Sequence, residues 1–523
     1  MKNSESEKKN LSRRDFMKNT AVGIGATALV GLGAKPALSK NSASDIKWDK
    51  EADVVVAGTG FAGIVSSITA HDAGAKVLII EKAPKELEGG NSKVSGNMWW
   101  TPTDVETGIK YITAMCYGLT DQESIKALAE GMFENNEWLK KMGVEPRAMG
   151  IFQPEYPELP GSEAVRTWSN ARGGFGAALY NPLRAKVDER DIPIMYQTPA
   201  RELIGNKEGE IIGIKAESGG KTINIKANRG VVLACGGFEF AHDIQQQHLP
   251  GWPMYGRGST YNTGDGIRMA QQAGADLWHM NNALAGIGAI LVDDDDLGRV
   301  PVSVSMNAPY ILTDQQGKRF MNESIRGRHG LGEKEHLIYF DTLGTQTFTR
   351  IPCYAILDSR VLKRPLSSSM KFGWYGWYSK YKWSSDNSAE IEKGWIIKGD
   401  TIEDLAAKLD IKTDSLQKTF TAYNQFCDTG VDPEFGSTNL RKIDQPPYVA
   451  LKIYPIMYNT QGGPRRNASC QIVDPFDNPI PRLYSAGELG SFWGWMYNGG
   501  GNNSECLATG RIAGANAALL KPL

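Results

Sequence analysis

"DVVVAGTGFAGIVSSITAHDAGAKVLIIEK", residues 53–82, carries the reading on which the fold depends. An apolar run at 54–57 reads as a buried strand and breaks into Gly58-x-Gly60-x-x-Gly63; a helical segment and a second apolar run at 77–80 follow, ending in Glu81. A lone glycine triplet of this kind is a weak signal. Between a strand and a helix, with an acid about twenty residues on, it is the dinucleotide fingerprint of a parallel α/β sheet. Gly58 permits the tight turn, Gly60 lets a pyrophosphate approach the backbone, and Gly63 lets helix and strand pack closely. Phe61 and Ala62 open the helix whose N-terminus faces the phosphates, and Glu81, followed by Lys82, is placed to accept from ribose hydroxyls.

Four further glycine-bearing loops extend this site along the chain. They are "EGGNSKVSGNMWW" (88–100), "RGVVLACGGFEF" (229–240), "TGDGIRMAQQAGA" (263–275), and "RLYSAGELG" (482–490) running on into "SFWGWMYNGGGNNSECLATGRIAG" (491–514). Contacts spread over the whole chain suit a long, extended FAD better than NAD. The candidate contacts in these loops are Gly89, Gly90, Asn91, Ser92, Ser95 and Gly96, then Gly236, Gly237 and Asp265, and finally Gly487, Glu488, Gly500, Asn503 and Ser504.

These segments, with "GKRFMNE" (317–323) and "QGG" (461–463), resemble the flavoproteins of the soluble fumarate reductase and 3-ketosteroid dehydrogenase superfamily from about Trp48 onward. The resemblance implies an α/β fold: a Rossmann-like FAD-binding domain in two sequence segments with an inserted α+β capping domain. The expected division is a leader at 1–39, FAD-binding segments at 40–283 and 457–523, and a cap at 284–456. Covalent relatives tether FAD through a histidine near the "GGNS" motif. Ser92 stands there instead, so FAD is expected to be held noncovalently. The superfamily also implies a helix from about Ser504 whose N-terminus points at the flavin and favours negative charge on its reduced form. The glycines before it, 499–501, are expected to let the backbone approach the flavin.

The substrate side departs from the reductases. Their two carboxylate-binding histidines fall near Gly286 and on Asn459, and their carboxylate-binding arginine on Tyr497. A carboxylate in a water-excluded site without such partners loses several kcal/mol of pairing. Fumarate is therefore a poor candidate. Trp493, Trp495, Tyr458 and Tyr497 offer flat apolar faces with a few hydroxyls, as an aromatic or apolar substrate wants. The family slot for the proton donor falls on Gly327, flanked by Arg326 and Arg328. Arg326 is the preferred arginine acid, with Glu323 in its relay; Tyr448, Tyr458 and Tyr497 are the alternative donors.

Upstream of all this, "SRRDFMK" (12–18) precedes a short apolar run and a small-residue site near Ser39, the pattern of a twin-arginine export signal, too short to span a bilayer. That route exports folded proteins, so a periplasmic location and a preloaded cofactor are expected. Without residues 1–39 the chain has 51 basic and 56 acidic residues, a net charge of −5, which argues against a nucleic-acid partner. The six cysteines are scattered with no C-x-x-C-H, and the six histidines show no metal-ligand spacing, so neither haem nor metal is expected. "DDDD" (293–296) reads as a solvated loop. "KFGWYGWYSKYKW" (371–383), with seven aromatics in thirteen residues, has neither helical nor strand periodicity and suggests a lid or a surface hairpin. Thr401 caps one expected helix of the cap domain, and 414–428 forms a second.

The function expected from these readings is an exported reductase passing hydride from FAD to the activated C=C bond of a small unsaturated compound, an apolar or aromatic enoate or enone. A separate cytochrome c or membrane quinol dehydrogenase would supply electrons, since the mature chain is expected to lack a membrane span. The alternatives are a 3-ketosteroid-type dehydrogenase running oxidatively and a flavoprotein that only transfers electrons.

Overall fold

A computed structural model describes residues 46–150, 154–295, 297–306, 308–324, 335–367 and 373–523. The twin-arginine segment, Arg326, Gly327 and Arg328 lie outside the described residues.

The fingerprint stretch folds as its pattern demands. Strand Lys50–Ala57, fully buried from Val54 on apart from partial exposure at its solvent-side start, leads into helix Phe61–Asp72 and then strand Val77–Ile80, all four residues of which are buried. The two strands pair in parallel, Val54 opposite Val77 and Ala57 opposite Ile80. Runs apolar on both faces belong in a sheet covered on both sides. That sheet has eight strands. Its main path runs Gln471–Val473, Pro479–Ser485, Lys221–Leu233, Lys50–Ala57, Val77–Ile80 and Ile194–Met195, with Ala200–Gly205 and Ile211–Ser218 attached as antiparallel partners. Strand Pro479–Ser485, late in the chain, lies parallel to Lys221–Leu233 at its centre. The sheet is thus completed by two distant sequence segments.

A second, seven-stranded sheet is built around the long strand Tyr448–Thr460. Ala283–Asp294 and Cys353–Asp358 flank this strand antiparallel; Gly298–Ser303 and Tyr310–Thr313 lie outside them. The short strand Tyr255–Gly256, from between the glycine loops, pairs in parallel with Ile456 and Met457. The expected boundary between residues 456 and 457 therefore falls inside one continuous strand. Helices Ile402–Lys408 and Thr413–Thr429 cover one face through Leu405, Leu409, Leu416 and Phe420. Thr401 caps the first of them, its hydroxyl accepting from the Asp404 N–H at 3.1 Å.

Four local readings differ from expectation. The carboxy-terminal helix begins at Gly501, three residues before Ser504, because Gly500 at φ 85° already turns the chain into it. The aromatic stretch forms a short helix, Gly373–Tyr378, packed on helix Gly90–Val94, and not a hairpin. Asp294 is buried rather than solvated, because its carboxylate accepts from Leu297 N–H at 2.9 Å and from the Ser379 hydroxyl. Tyr448, a candidate acid, packs its ring 5.1 Å from Phe420 beneath the covering helices.

Arg319 is the polar pin of the second sheet. Its guanidinium, 1% exposed, makes a two-point pair with Glu323 at 3.0 and 2.6 Å, contacts Asp432 at 2.9 Å, and lies over Tyr423 and Phe435. Removing one member of such a cluster leaves buried charge behind. Arg319→Ala is expected to lower unfolding stability by about 3–5 kcal/mol, read as a lower urea midpoint, whereas Lys318→Ala next to it should change little.

A dinucleotide cleft and the aromatic chamber beside it

The glycines of the fingerprint act through what their missing side chains would strike. A Cβ on Gly58, which has φ +112°, would sit 2.3 Å from the Ala234 carbonyl oxygen; one on Gly63 would sit 2.0 Å from the Gly58 oxygen. Those approaches hold strand, turn and helix together. Over Gly60 the nearest atom is the Ser92 hydroxyl at 3.4 Å, and over Gly90 nothing lies within 4 Å, so here the backbone is open. It opens onto a cleft of about 850 Å³ including its mouth, lined by Gly58, Gly60, Phe61, Ala62, Glu81, Lys82, Gly90, Asn91, Ser92, Gly236, Asp265 and Glu488 among the expected contacts.

Each polar group on this wall is already oriented. Glu81 accepts from the backbone N–H groups of Thr59 at 2.9 Å and Ala83 at 2.7 Å, which fixes its carboxylate at the end of the strand. The Ser92 hydroxyl accepts from the Phe61 N–H at 2.9 Å. Lys82 reaches Asp265 at 2.8 Å and the Thr263 hydroxyl, tying the fourth glycine loop to the first. Asn91 donates to Glu239 at 2.7 Å and to Glu488 at 3.2 Å, and accepts from the Ser259 N–H at 2.8 Å. Burial raises both of these carboxyls, Glu488 well above the usual carboxylate range, with the negative charge of Glu239 adding to it. Two acids so placed favour sharing a proton over ionising together.

The remaining expected contacts make their own packing and hydrogen bonds within the protein. Gly89 is the left-handed N-cap of helix Gly90–Val94, and Gly96 follows that helix half-buried. Gly237 packs on the Thr460 hydroxyl, and Gly487 on Ala62. The Gly500 Cβ position is 3.0 Å from the Trp99 backbone. Asn503 donates to Met98 O at 2.7 Å and to the Ser95 hydroxyl at 3.4 Å, while the Ser504 hydroxyl accepts from Trp100 N–H at 2.9 Å and donates to Trp100 O at 2.7 Å. Gly500 thus lies against the backbone of strand Met98–Pro102, which the first turn of the carboxy-terminal helix clamps, while Gly501 lies against the Trp493 and Tyr497 rings.

Next to this clamp stand the aromatics. Trp493 is fully buried, 6.0 Å from Trp100 and 6.2 Å from Tyr497 between ring centroids, and Tyr458 and Met496 border the large hydrophobic core to which these rings belong. Trp495 differs in being 41% exposed. Burial raises the Tyr497 hydroxyl, while backbone N–H groups of Asn502 and Gly500, at the helix N-terminus, hydrogen-bond to it. Asn459 is buried opposite Leu284 on the neighbouring strand, its amide nitrogen lacking a hydrogen-bond partner. Glu323 lies in the Arg319 cluster of the second sheet, with both carboxylate oxygens engaged there.

Sequence reasoning passed over one cation. Arg257, next to the short strand Tyr255–Gly256, lies with its guanidinium carbon 5.4 Å from the centre of the Tyr458 ring. Its only signal in the sequence was an arginine between two glycines ahead of the "TGDG" loop.

A parallel sheet with a glycine-lined cleft at the ends of its strands, and an acid at the end of the second, is a dinucleotide-binding fold. The chain belongs to the FAD binding domain family, whose model matches residues 53–504, within the fumarate reductase and 3-ketosteroid dehydrogenase superfamily. It is 28% identical to the acrylate reductase flavoprotein subunit of Shewanella woodyi, over 97% of this chain and 98% of that one. It is 26% identical to the digoxin reductase of Eggerthella lenta, over 98% of each. Its backbone matches the 3-ketosteroid Δ1-dehydrogenase of Sterolibacterium denitrificans with a TM-score of 0.75 at 22% identity, covering 90% of this chain and 99% of that one. The protein is an FAD-dependent oxidoreductase acting on carbon–carbon bonds.

The described residues fit FAD: open backbone at Gly60 and Gly90 would receive its pyrophosphate, and Glu81 keeps acceptor capacity toward ribose hydroxyls. Gly58→Ala is expected to yield protein purified without the yellow cofactor, because both its φ and the Ala234 carbonyl refuse a Cβ. Gly150→Ala, at a position with nothing within 4 Å and no left-handed φ, should retain the flavin spectrum.

Proposed function

We propose that this protein reduces an activated C=C bond in a small, largely apolar or aromatic unsaturated acid or ketone. The observation that carries the reading is the composition of the chamber next to the cleft. Tyr497 and Asn459 stand where dicarboxylate reductases hold charged or imidazole groups, and Trp493 packs against both Tyr497 and Trp100. Flat apolar walls reward burial of an aryl or alkyl group at roughly 25 cal/mol per Å², and they penalise a second carboxylate. Reduced FAD, when bound, supplies the hydride. This chain's residues hold the acceptor flat, exclude water, and provide a proton from a side chain at the chamber. The names and lengths of the acrylate and digoxin reductases support the reductive direction.

A second reading is favoured by one feature, the Tyr497 hydroxyl beside the helix amides. Held as acceptor by those amides, the hydroxyl keeps its own proton to donate to a ketone oxygen, as a dehydrogenase of saturated ketones would need. Anaerobic stopped-flow separates the two. The reduced holoprotein should be reoxidised fastest by arylacrylates and at least about tenfold more slowly by fumarate. No acceptor faster than buffer would overturn the reductive reading, and rapid reduction of oxidised protein by saturated ketones would establish the other.

We further propose that the protein works in the periplasm after twin-arginine export, drawing electrons from a separate cytochrome c or quinol dehydrogenase. Among the described residues no helix is long and apolar enough to cross a membrane. Replacing Arg13 and Arg14 together by lysine is expected to leave the flavin-loaded protein in the cytoplasmic fraction, scored by fractionation. Unchanged export would refute the assignment.

A further inference from the structure

Arg257 is held in place by two backbone hydrogen bonds to different elements. Its N–H donates to Met457 O at 2.8 Å, extending the pairing of strand Tyr255–Gly256 with Tyr448–Thr460, and its own carbonyl accepts from Trp374 N–H at 2.8 Å. The side chain then crosses to Tyr458, lying over the ring and hydrogen-bonding the hydroxyl. Along both segments the cleft is two residues away. Ser259, beyond Arg257, donates its N–H to Asn91, and Thr460, beyond Tyr458, donates its N–H to Glu488 at 3.0 Å; Ser259, Asn91 and Glu488 all line the cleft. Alternation along the strand puts Tyr458 and Thr460 on one face and Asn459 on the other. The pair therefore sits two residues from the flavin cleft along both segments.

We infer that Arg257, backed by Tyr458, holds the carboxylate of the acceptor, so that the chamber selects unsaturated acids with one negative charge over both dianions and uncharged amides. The inference rests on the reductase reading and specifies its substrate. A guanidinium presents a planar fork that matches a carboxylate at two points, and a phenol beside it adds a third donor. Burial holds this guanidinium below the ordinary arginine range, and an incoming anion would restore what desolvation takes away. Hydride arriving at the β-carbon drives electron density from the C=C bond toward the carboxylate oxygens. Arg257 thus binds the transition state more strongly than the ground state. A second carboxylate would lack a cationic partner at Asn459 and Tyr497, which stand where the dicarboxylate reductases place theirs.

Binding without turnover tests this directly. Oxidised holoprotein is titrated with 3-phenylpropanoate, its primary amide and succinate, following the flavin absorbance, in the wild type and in Arg257→Gln, Arg257→Lys and Tyr458→Phe. The flavin content of each variant reports that it has folded. The wild type should bind the monoacid at least about tenfold more tightly than the amide or succinate. Arg257→Gln should reduce the acid-over-amide ratio to about one, Arg257→Lys should keep part of it, and Tyr458→Phe should lower it less than Arg257→Gln. An amide bound as tightly as the acid by the wild type, or a ratio that survives Arg257→Gln in flavin-loaded protein, overturns the inference. Turnover of enoates with an unchanged ratio in Arg257→Gln sinks this inference and leaves the reductase reading standing. A ratio that depends on Arg257 in a protein that no unsaturated acceptor reoxidises does the reverse.

Discussion

Two helices from opposite ends of the chain touch backbone to backbone, and the architecture depends on that contact. Along Gly501–Leu519, a Cβ on Gly514 would sit 2.3 Å from the Ser66 carbonyl oxygen, and one on Gly510 would sit 2.9 Å from that of Ala62. Helix Phe61–Asp72 is the fingerprint helix, so the element that faces the cofactor is locked to the last helix of the protein. Strand Pro479–Ser485 enters the sheet beside Lys221–Leu233 just before that helix. Any side chain at the contact would push the carboxy-terminal helix outward. The clamp of Asn503 and Ser504 on strand Met98–Pro102 would shift with it, and so would the chamber wall.

The same junction separates two electrostatic environments. On the cleft side, oriented amides, hydroxyls and carboxylates converge, as in Asn91 bridging Glu239 and Glu488. A polar cofactor can exchange its water for these groups at little net cost. On the chamber side, indole and phenol faces dominate, and the helix N-terminus is met by the Tyr497 hydroxyl. Deeper still, Arg466 and Glu505, both with no side-chain exposure, pair at 2.7 Å, and Glu505 also accepts from Ser491 and the Phe492 N–H. That buried pair fixes the loop carrying the chamber's aromatics, since removing one partner would strand the other's charge.

What could be read from the chain alone was local. Residues 53–82 form one contiguous βαβ unit, so spacing fixes which backbone atoms meet: Gly58 and Gly63 sit where the pattern puts them, and Thr401 caps its helix for the same reason. Even the departures at Asn459 and Tyr497 were visible, because one lies two residues before the "QGG" of 461–463 and the other just before the glycines at 499–501. Tertiary structure decided what the aromatics and the last glycines touch. The Cβ direction of Gly500 meets the Trp99 backbone, since strand Met98–Pro102 folds back across the chain to meet it. Arg257 and Tyr458 meet only because Tyr255–Gly256 joins the edge of a strand built some two hundred residues later. No periodicity encodes that meeting. Hydrophobic pattern specifies which face of a strand is buried, but which distant strand pairs with it is settled by the packing of both sheets. The residue most informative about substrate charge therefore stayed invisible until the chain was folded.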